Sequence, residues 1–172
     1  MTHDNPRMDE SPEDNFKSQV GMALNEVDRR SKYDDFDDHL AQYEAVGASL
    51  AAKASEVGLE WYLERSVARR SWGMGCMAYR QPYDRVKPLY DRMQRVPPLS
   101  EHDATGSGFQ WCLYLIEQNR MEEARAVLAA FRRVSDTVRG AHRKWVLAQA
   151  REMEQTIDST DSSQHEPRSA DE

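Results

Sequence analysis

Seven residues between positions 36 and 57 restrict what this chain can become. Phe36, Leu40, Tyr43, Gly47, Leu50, Ala54 and Val57 recur at intervals of four and three. That spacing places them along one side of an α-helix, whereas a strand alternates its faces every two residues. The stripe is unbroken for about six turns. Asp34 or Asp35 stands where an N-cap belongs, and Gly58 stands where a left-handed residue ends a helix. A helix with one long apolar side needs neighbours to cover it, and with no convincing strand elsewhere in the chain those neighbours read as helices, which predicts an all-α protein.

The remaining segments supply those helices. Phe16, Val20, Ala23, Leu24 and Val27 predict a first helix over 13–30. A third, over 59–80, is apolar on two sides, with Leu63, Val67, Met74 and Met77 on one and Ala68, Trp72, Gly75 and Tyr79 on the other. It should be central. Its Ser71-Trp72-Gly73-Met74-Gly75-Cys76-Met77 stretch reads as small residues at a helix crossing, with a kink at the glycines as the alternative. Pro82 opens a fourth helix over 83–96, with Pro88 inside it. Residues 97–108 read as a loop. Ser107 and Gln110 have capping-box spacing for a fifth helix over 109–118. A sixth follows over 121–134 and a seventh over 137–157. The expected body is a single domain over 13–157, flanked by disordered acidic tails at 1–12 and 158–172.

Charge is distributed unevenly. Residues 1–16 carry five acids against Arg7, and 158–172 carry five against Arg168. The body is nearly neutral, acidic over 17–60 and mildly basic over 61–157. A dedicated nucleic-acid binder shows a larger positive excess. The two cysteines, Cys76 and Cys112, lie among apolar residues and read as buried thiols in a reducing compartment. No apolar run reaches membrane-spanning length, and the polar N-terminus is no signal peptide. The expectation is a soluble cytoplasmic protein without membrane contact.

Helices five and six resemble a tetratricopeptide-repeat hairpin over residues 108–134. Trp111, Cys112 and Leu115 on the first helix, the turn at Asn119, and Met121-Glu122-Glu123-Ala124, Leu128 and Phe131 on the second carry the likeness. In that family a small residue on one helix meets an Ala on the next, here Cys112 and Ala124. Gly108 stands where the family has an aromatic, Asn119 where it has Gly, and no Pro closes the unit near Asp136. Tyr83-Asp84-Arg85-Val86 and Tyr90 echo the second helix at a spacing of 38 rather than 34. The resemblance implies about seven helices in an antiparallel helical-hairpin bundle or short TPR-like solenoid, with a concave face that binds peptides or partner helices.

Motifs of catalysis are missing. None of the five histidines pairs with another His or Cys at metal-ligand spacing. There is no His-Glu-x-x-His, Gly-x-Ser-x-Gly or Cys-x-x-Cys. Met74, Cys76 and Met77 do not share a helix face well enough for a soft metal. The four carboxylates at Asp34, Asp35, Asp37 and Asp38 read as helix capping rather than a cation site. No catalytic, cofactor or metal residue is assigned.

These readings converge on a protein–protein interaction module: an adaptor, accessory subunit or immunity-type inhibitor. Its groove would be lined by helices three, five and seven. Arg69, Arg70, Trp72, Trp111, Tyr114, Arg132 and Arg143 are the expected partner-binding residues. A second reading is a regulator touching nucleic acid through the Arg-rich segment 132–144. A third is an enzyme using His102 or His142 beside a carboxylate.

Overall fold

The computed structural model describes residues 11–32 and 35–164, the last four as backbone alone. Among them are seven α-helices, one π-helical segment and no strand. The fold is all-α. In order the helices are α1 Pro12–Arg30, α2 Phe36–Val57, α3 Glu60–Gly73, α4 Tyr83–Gln94, α5 Glu101–Glu117, α6 Met121–Val134 and α7 Gly140–Gln164, with the π segment at Met74–Ala78. The chain divides into two compact units, one up to Pro97 and one from Pro98, where the sequence suggests a single domain.

In the first unit α2 has the boundaries its stripe predicts. Asp35 accepts a hydrogen bond from the Asp38 amide at 2.9 Å, so this acid is a cap. Gly58 closes the helix at φ 69°. Tyr33 and Asp34 lie outside the described residues. The α2 stripe packs against Phe16, Val20, Leu24 and Val27 of α1 and Leu63 and Val67 of α3.

The helix expected over 59–80 is α-helical only to Gly73 and then widens by one residue per turn. Gly75 supplies the reason. A Cβ there would lie 3.0 Å from the ring of Phe36 and 3.4 Å from Val86. The missing side chain lets both press on the backbone, so the close-approach reading holds at this turn, which is π-helical. Pro88 is accommodated inside α4. The buried guanidinium of Arg65 donates to the carbonyl oxygens of Met93, at 2.6 Å, and Val96, at 3.2 Å. It thereby adds a side-chain donor to carbonyls at and just past the end of α4.

In the second unit the segment 101–108 is helix, not loop. Ser100 accepts from the Asp103 amide at 3.1 Å, and the Asp103 carboxylate accepts from the Leu99 amide at 2.9 Å. This cap lies two turns upstream of the one expected at Ser107, which is buried inside α5. Cys112 and Ala124 are both fully buried, and the thiol points to the Ala124 carbonyl at 3.5 Å. Asn119 takes φ 59°, a conformation that Asn adopts more readily than most side chains and that Gly would otherwise supply. Helix α7 packs on α5 and α6 through Val146, Ala150, Met153 and Ile157. It continues to Gln164, past the tail boundary expected at 158. Residues 1–10 and 165–172 lie outside the described residues.

Two glycine substitutions separate propensity from packing. Gly106→Ala, where nothing lies within 4 Å of an added Cβ, should stabilise by about 0.5–1 kcal/mol. Gly75→Ala should destabilise by about 1–3 kcal/mol through the clash with Phe36. Urea unfolding followed by circular dichroism measures both, and equal shifts would refute the close-approach role of Gly75.

Candidate functional site

Three clusters gather chemistry-bearing side chains. The first is a polar node inside the first unit. The Asp28 carboxylate of α1 accepts from the Tyr43 hydroxyl and from Arg70, while Arg70 also donates to Asn25 at 2.6 Å. His39 is 1% exposed, with Nδ1 3.0 Å from the Tyr79 hydroxyl and Nε2 3.6 Å from Asp28. Burial and the adjacent Asp28 charge push the Tyr43 phenol far above its ordinary value, so it stays a donor. Asp, His and Tyr together resemble catalytic machinery, but Tyr43 is fully buried and its hydroxyl is already engaged. The node joins α1, α2, α3 and the segment after the π turn.

The second cluster stacks His102 and His142, forty residues apart, with centroids at 4.1 Å and planes at 11°. His142 Nε2 lies 3.0 Å from the Thr105 hydroxyl, and Nδ1 lies 3.9 Å from Glu101. The enzyme reading expects a histidine beside a carboxylate, and this one is. The Thr105 hydroxyl, however, is buried and donates to the Glu101 carbonyl at 2.8 Å, which leaves no accessible nucleophile there. The nearby Ser107 hydroxyl is buried and donates to the Asp103 carboxylate at 3.2 Å. Burial pushes the Cys112 thiol up to about 11, away from thiolate chemistry. Among the described residues no group of three or more His, Cys, Asp or Glu is placed to hold a metal.

The third is a half-open groove of about 440 Å³ in the first unit. Gly47, Ala48, Ala51 and Ala54 of α2 and Leu63 and Val67 of α3 make an apolar floor. Glu44, Glu60, Glu64 and Arg92 stand at its rim. Small side chains on α2 leave the space open. Arg92 donates to both oxygens of Glu64, at 2.7 and 3.0 Å, and to Glu44, so one cation is shared by two carboxylates. That pairing holds Glu64 below the ordinary Glu range. The Ser55 hydroxyl donates to Glu60 at 2.8 Å. Glu60 has no cationic partner among the described residues. The rim therefore keeps a net negative charge.

The structure corrects much of the expected contact set. Trp72 is 0% exposed, and Trp111 and Tyr114 are buried and stack on each other at 5.3 Å. These three rings are core and offer no surface to a partner. Arg70 is committed to Asp28, and Arg132 pairs with Glu154. Arg69 and Arg143 are exposed. The groove expected from helices three, five and seven draws on both units. The groove within the first unit uses α2 and α3 with Arg92 of α4. Sequence reasoning passed over Glu44, Ala48, Ala51, Glu60, Glu64 and Arg92. The available signal was the pair Glu60 and Glu64, one turn apart beside an α2 face of Gly and Ala.

Trp145 is 40% exposed and is flanked by Phe109 at 5.9 Å, His142 at 6.1 Å and Phe131 at 6.3 Å. Arg133, Arg139, Arg143, Lys144 and Arg151 are exposed and make no ion pair among the described residues. No described helix is long and apolar enough to cross a membrane. No protein-family model, no curated protein and no solved structure matches the chain.

Asp28→Ala should cost about 2–3 kcal/mol, because a buried phenol and a guanidinium lose their acceptor together. A loss below 0.5 kcal/mol, a size usual for isolated surface changes, would remove the node from any structural role. Glu64 makes a pH-dependent contribution. Its lowered folded pKa adds stability above the unfolded value of about 4.3, and that stability is lost as pH falls through the folded value. Wild type should lose stability more steeply than Glu64→Gln between about pH 5 and 3. Parallel urea-derived profiles would contradict the Arg92 pairing.

Proposed function

We propose that the chain is a cytoplasmic protein–protein interaction module whose contact site is the α2–α3 groove. The observation that carries this reading is an apolar floor bordered by carboxylates that exceed their cations. Such a surface suits a partner helix with apolar residues on one side and Lys or Arg beside them, the helix-in-groove mode. Apolar contact supplies affinity, and Glu60 with the Glu44–Arg92–Glu64 clasp favours basic over acidic partners. Adaptors, accessory subunits and inhibitors all act this way, by occupying a surface without chemistry.

A second reading has its own support. Unpaired cations around an exposed Trp145 are the combination that binds single-stranded nucleic acid, through phosphate contacts and base stacking. It would place a regulator's contact on 132–151 and not on the groove.

Affinity capture from cell extract with wild type and Ala51→Trp decides between them. Ala51 is exposed, so the indole should fill the groove and leave the fold intact. The expected result is a protein carrying a basic helical segment recovered with wild type, insensitive to nuclease, weakened by salt and lost with Ala51→Trp. Equal recovery by both would refute the groove. Recovery of nucleic acid alone, lost steeply with salt, would establish the second reading.

A further inference from the structure

Among the described residues, two exposed surfaces are complementary to each other. The groove of the first unit is apolar, acidic at its rim and without an aromatic residue among its lining. The face of α7 in the second unit presents an exposed indole with cations beside it. We propose that the occupant of the α2–α3 groove is helix α7 of a second copy of the chain, with Trp145 seated on the floor and Lys144 and Arg151 facing Glu60 and Glu64. This rests on the groove being a protein-docking site, and names its partner.

Helical spacing supports the fit. Val146, Ala150, Met153 and Ile157 define the buried side of α7. Ala141, Lys144, Ala148 and Arg151 fall on the opposite side, with Trp145 at its border. Ala141 and Ala148 lie about one turn before and after Trp145. Small residues flanking the indole let the helix backbone approach α2, whose own contact positions Ala48 and Ala51 are also small. The cavity of about 440 Å³ has room for an indole. A Trp inserted into an apolar pocket and ringed by charge pairs is the usual anatomy of a binding hot spot. Glu152 is the nearest acid on the exposed side, two turns beyond Trp145, and sets the end of the basic patch.

The groove and the α7 face are different surfaces, so the contact is heterologous. Each copy bound by its groove still offers an α7, which gives a ring where the rotation closes and an open chain where it does not.

Sedimentation across a concentration series at low and high salt tests this. Wild type should associate, and salt should weaken it. Trp145→Ala should weaken association by about 30-fold, the scale of a central Trp hot spot. Because Trp145 also touches Phe109 and Phe131, the double reversal Lys144→Glu/Arg151→Glu serves as a second variant that leaves the packing intact. Ala51→Trp should be monomeric too. The decisive step mixes Ala51→Trp with Lys144→Glu/Arg151→Glu. Each retains one intact face, so the mixture should form one-to-one dimers and nothing larger. A monomeric wild type at every concentration overturns the inference, and so does a mixture that stays monomeric. If the groove still captures a basic protein in an Ala51-dependent way while wild type is monomeric, only the identity of the partner is lost. If wild type associates but Ala51→Trp associates equally well, the groove reading fails with it.

Discussion

One carboxylate organises the first unit. Asp28 extends from the last turn of α1 and holds Tyr43 of α2 and Arg70 of α3, with His39 at 3.6 Å. Hydrophobic contact along the α2 stripe is non-directional and tolerates sliding by a turn. A phenol and a guanidinium converging on one acceptor do not tolerate it, because a displaced helix leaves a buried donor unpaired. The node therefore sets the axial position of α2 against α3. That position brings Gly47, Ala48 and Ala51 alongside Leu63 and Val67 to form the groove floor. Through His39 and Tyr79 the same node reaches the chain just past the π segment. There Gly75 has already admitted Phe36 against the backbone.

The α-helical pattern was legible wherever one face alone had to be apolar. Helix α2 is readable to the residue because its stripe, its Asp35 cap and its Gly58 stop agree. The start of α5 was not, because two capping signals compete. Ser107 with Gln110 matches the capping-box pattern more closely than Ser100 with Asp103. Thr105, Gly106 and Ser107 are also poor helix formers. Burial of Thr105 and Ser107 inside the unit overrides that propensity. The π turn had a sequence signal in its two glycines, but one that also fits a straight helix crossing. Only the position of Phe36, 39 residues before Gly75, decides between them.

The expectation that Trp72, Trp111 and Tyr114 face a partner is corrected for a different reason. Aromatic side chains serve cores and interfaces equally well, and sequence periodicity does not distinguish the two. Trp72 lies on the apolar face of a central helix, where it and Ala68 are fully covered. The groove was invisible because it is made by what side chains lack. Alanines and a glycine at 47, 48, 51 and 54 read as helix formers and close-packing residues, yet part of the α2–α3 space is left open.

Several cations of the first unit are spent inside the fold. In the first unit Arg65 closes the end of α4, Arg70 serves Asp28, Arg85 pairs with Asp37 and Arg92 bridges Glu44 and Glu64. These charges hold secondary-structure elements together and are spent within the fold. In the second unit Arg120, Arg125 and Arg132 pair with acids, but from Arg133 to Arg151 the cations have no ion-pair partner among the described residues. Between Glu123 and Glu152 the only acid in the sequence is Asp136. Uncompensated like charges on one helix repel, and a fold gains nothing from gathering them there. An exposed indole beside them carries a further cost in solvation, since its apolar surface is left partly in water. Two unfavourable features on the same stretch of α7 are relieved together by one occupant that is acidic at its edges and apolar at its centre. Among the described residues, the α2–α3 groove has that description.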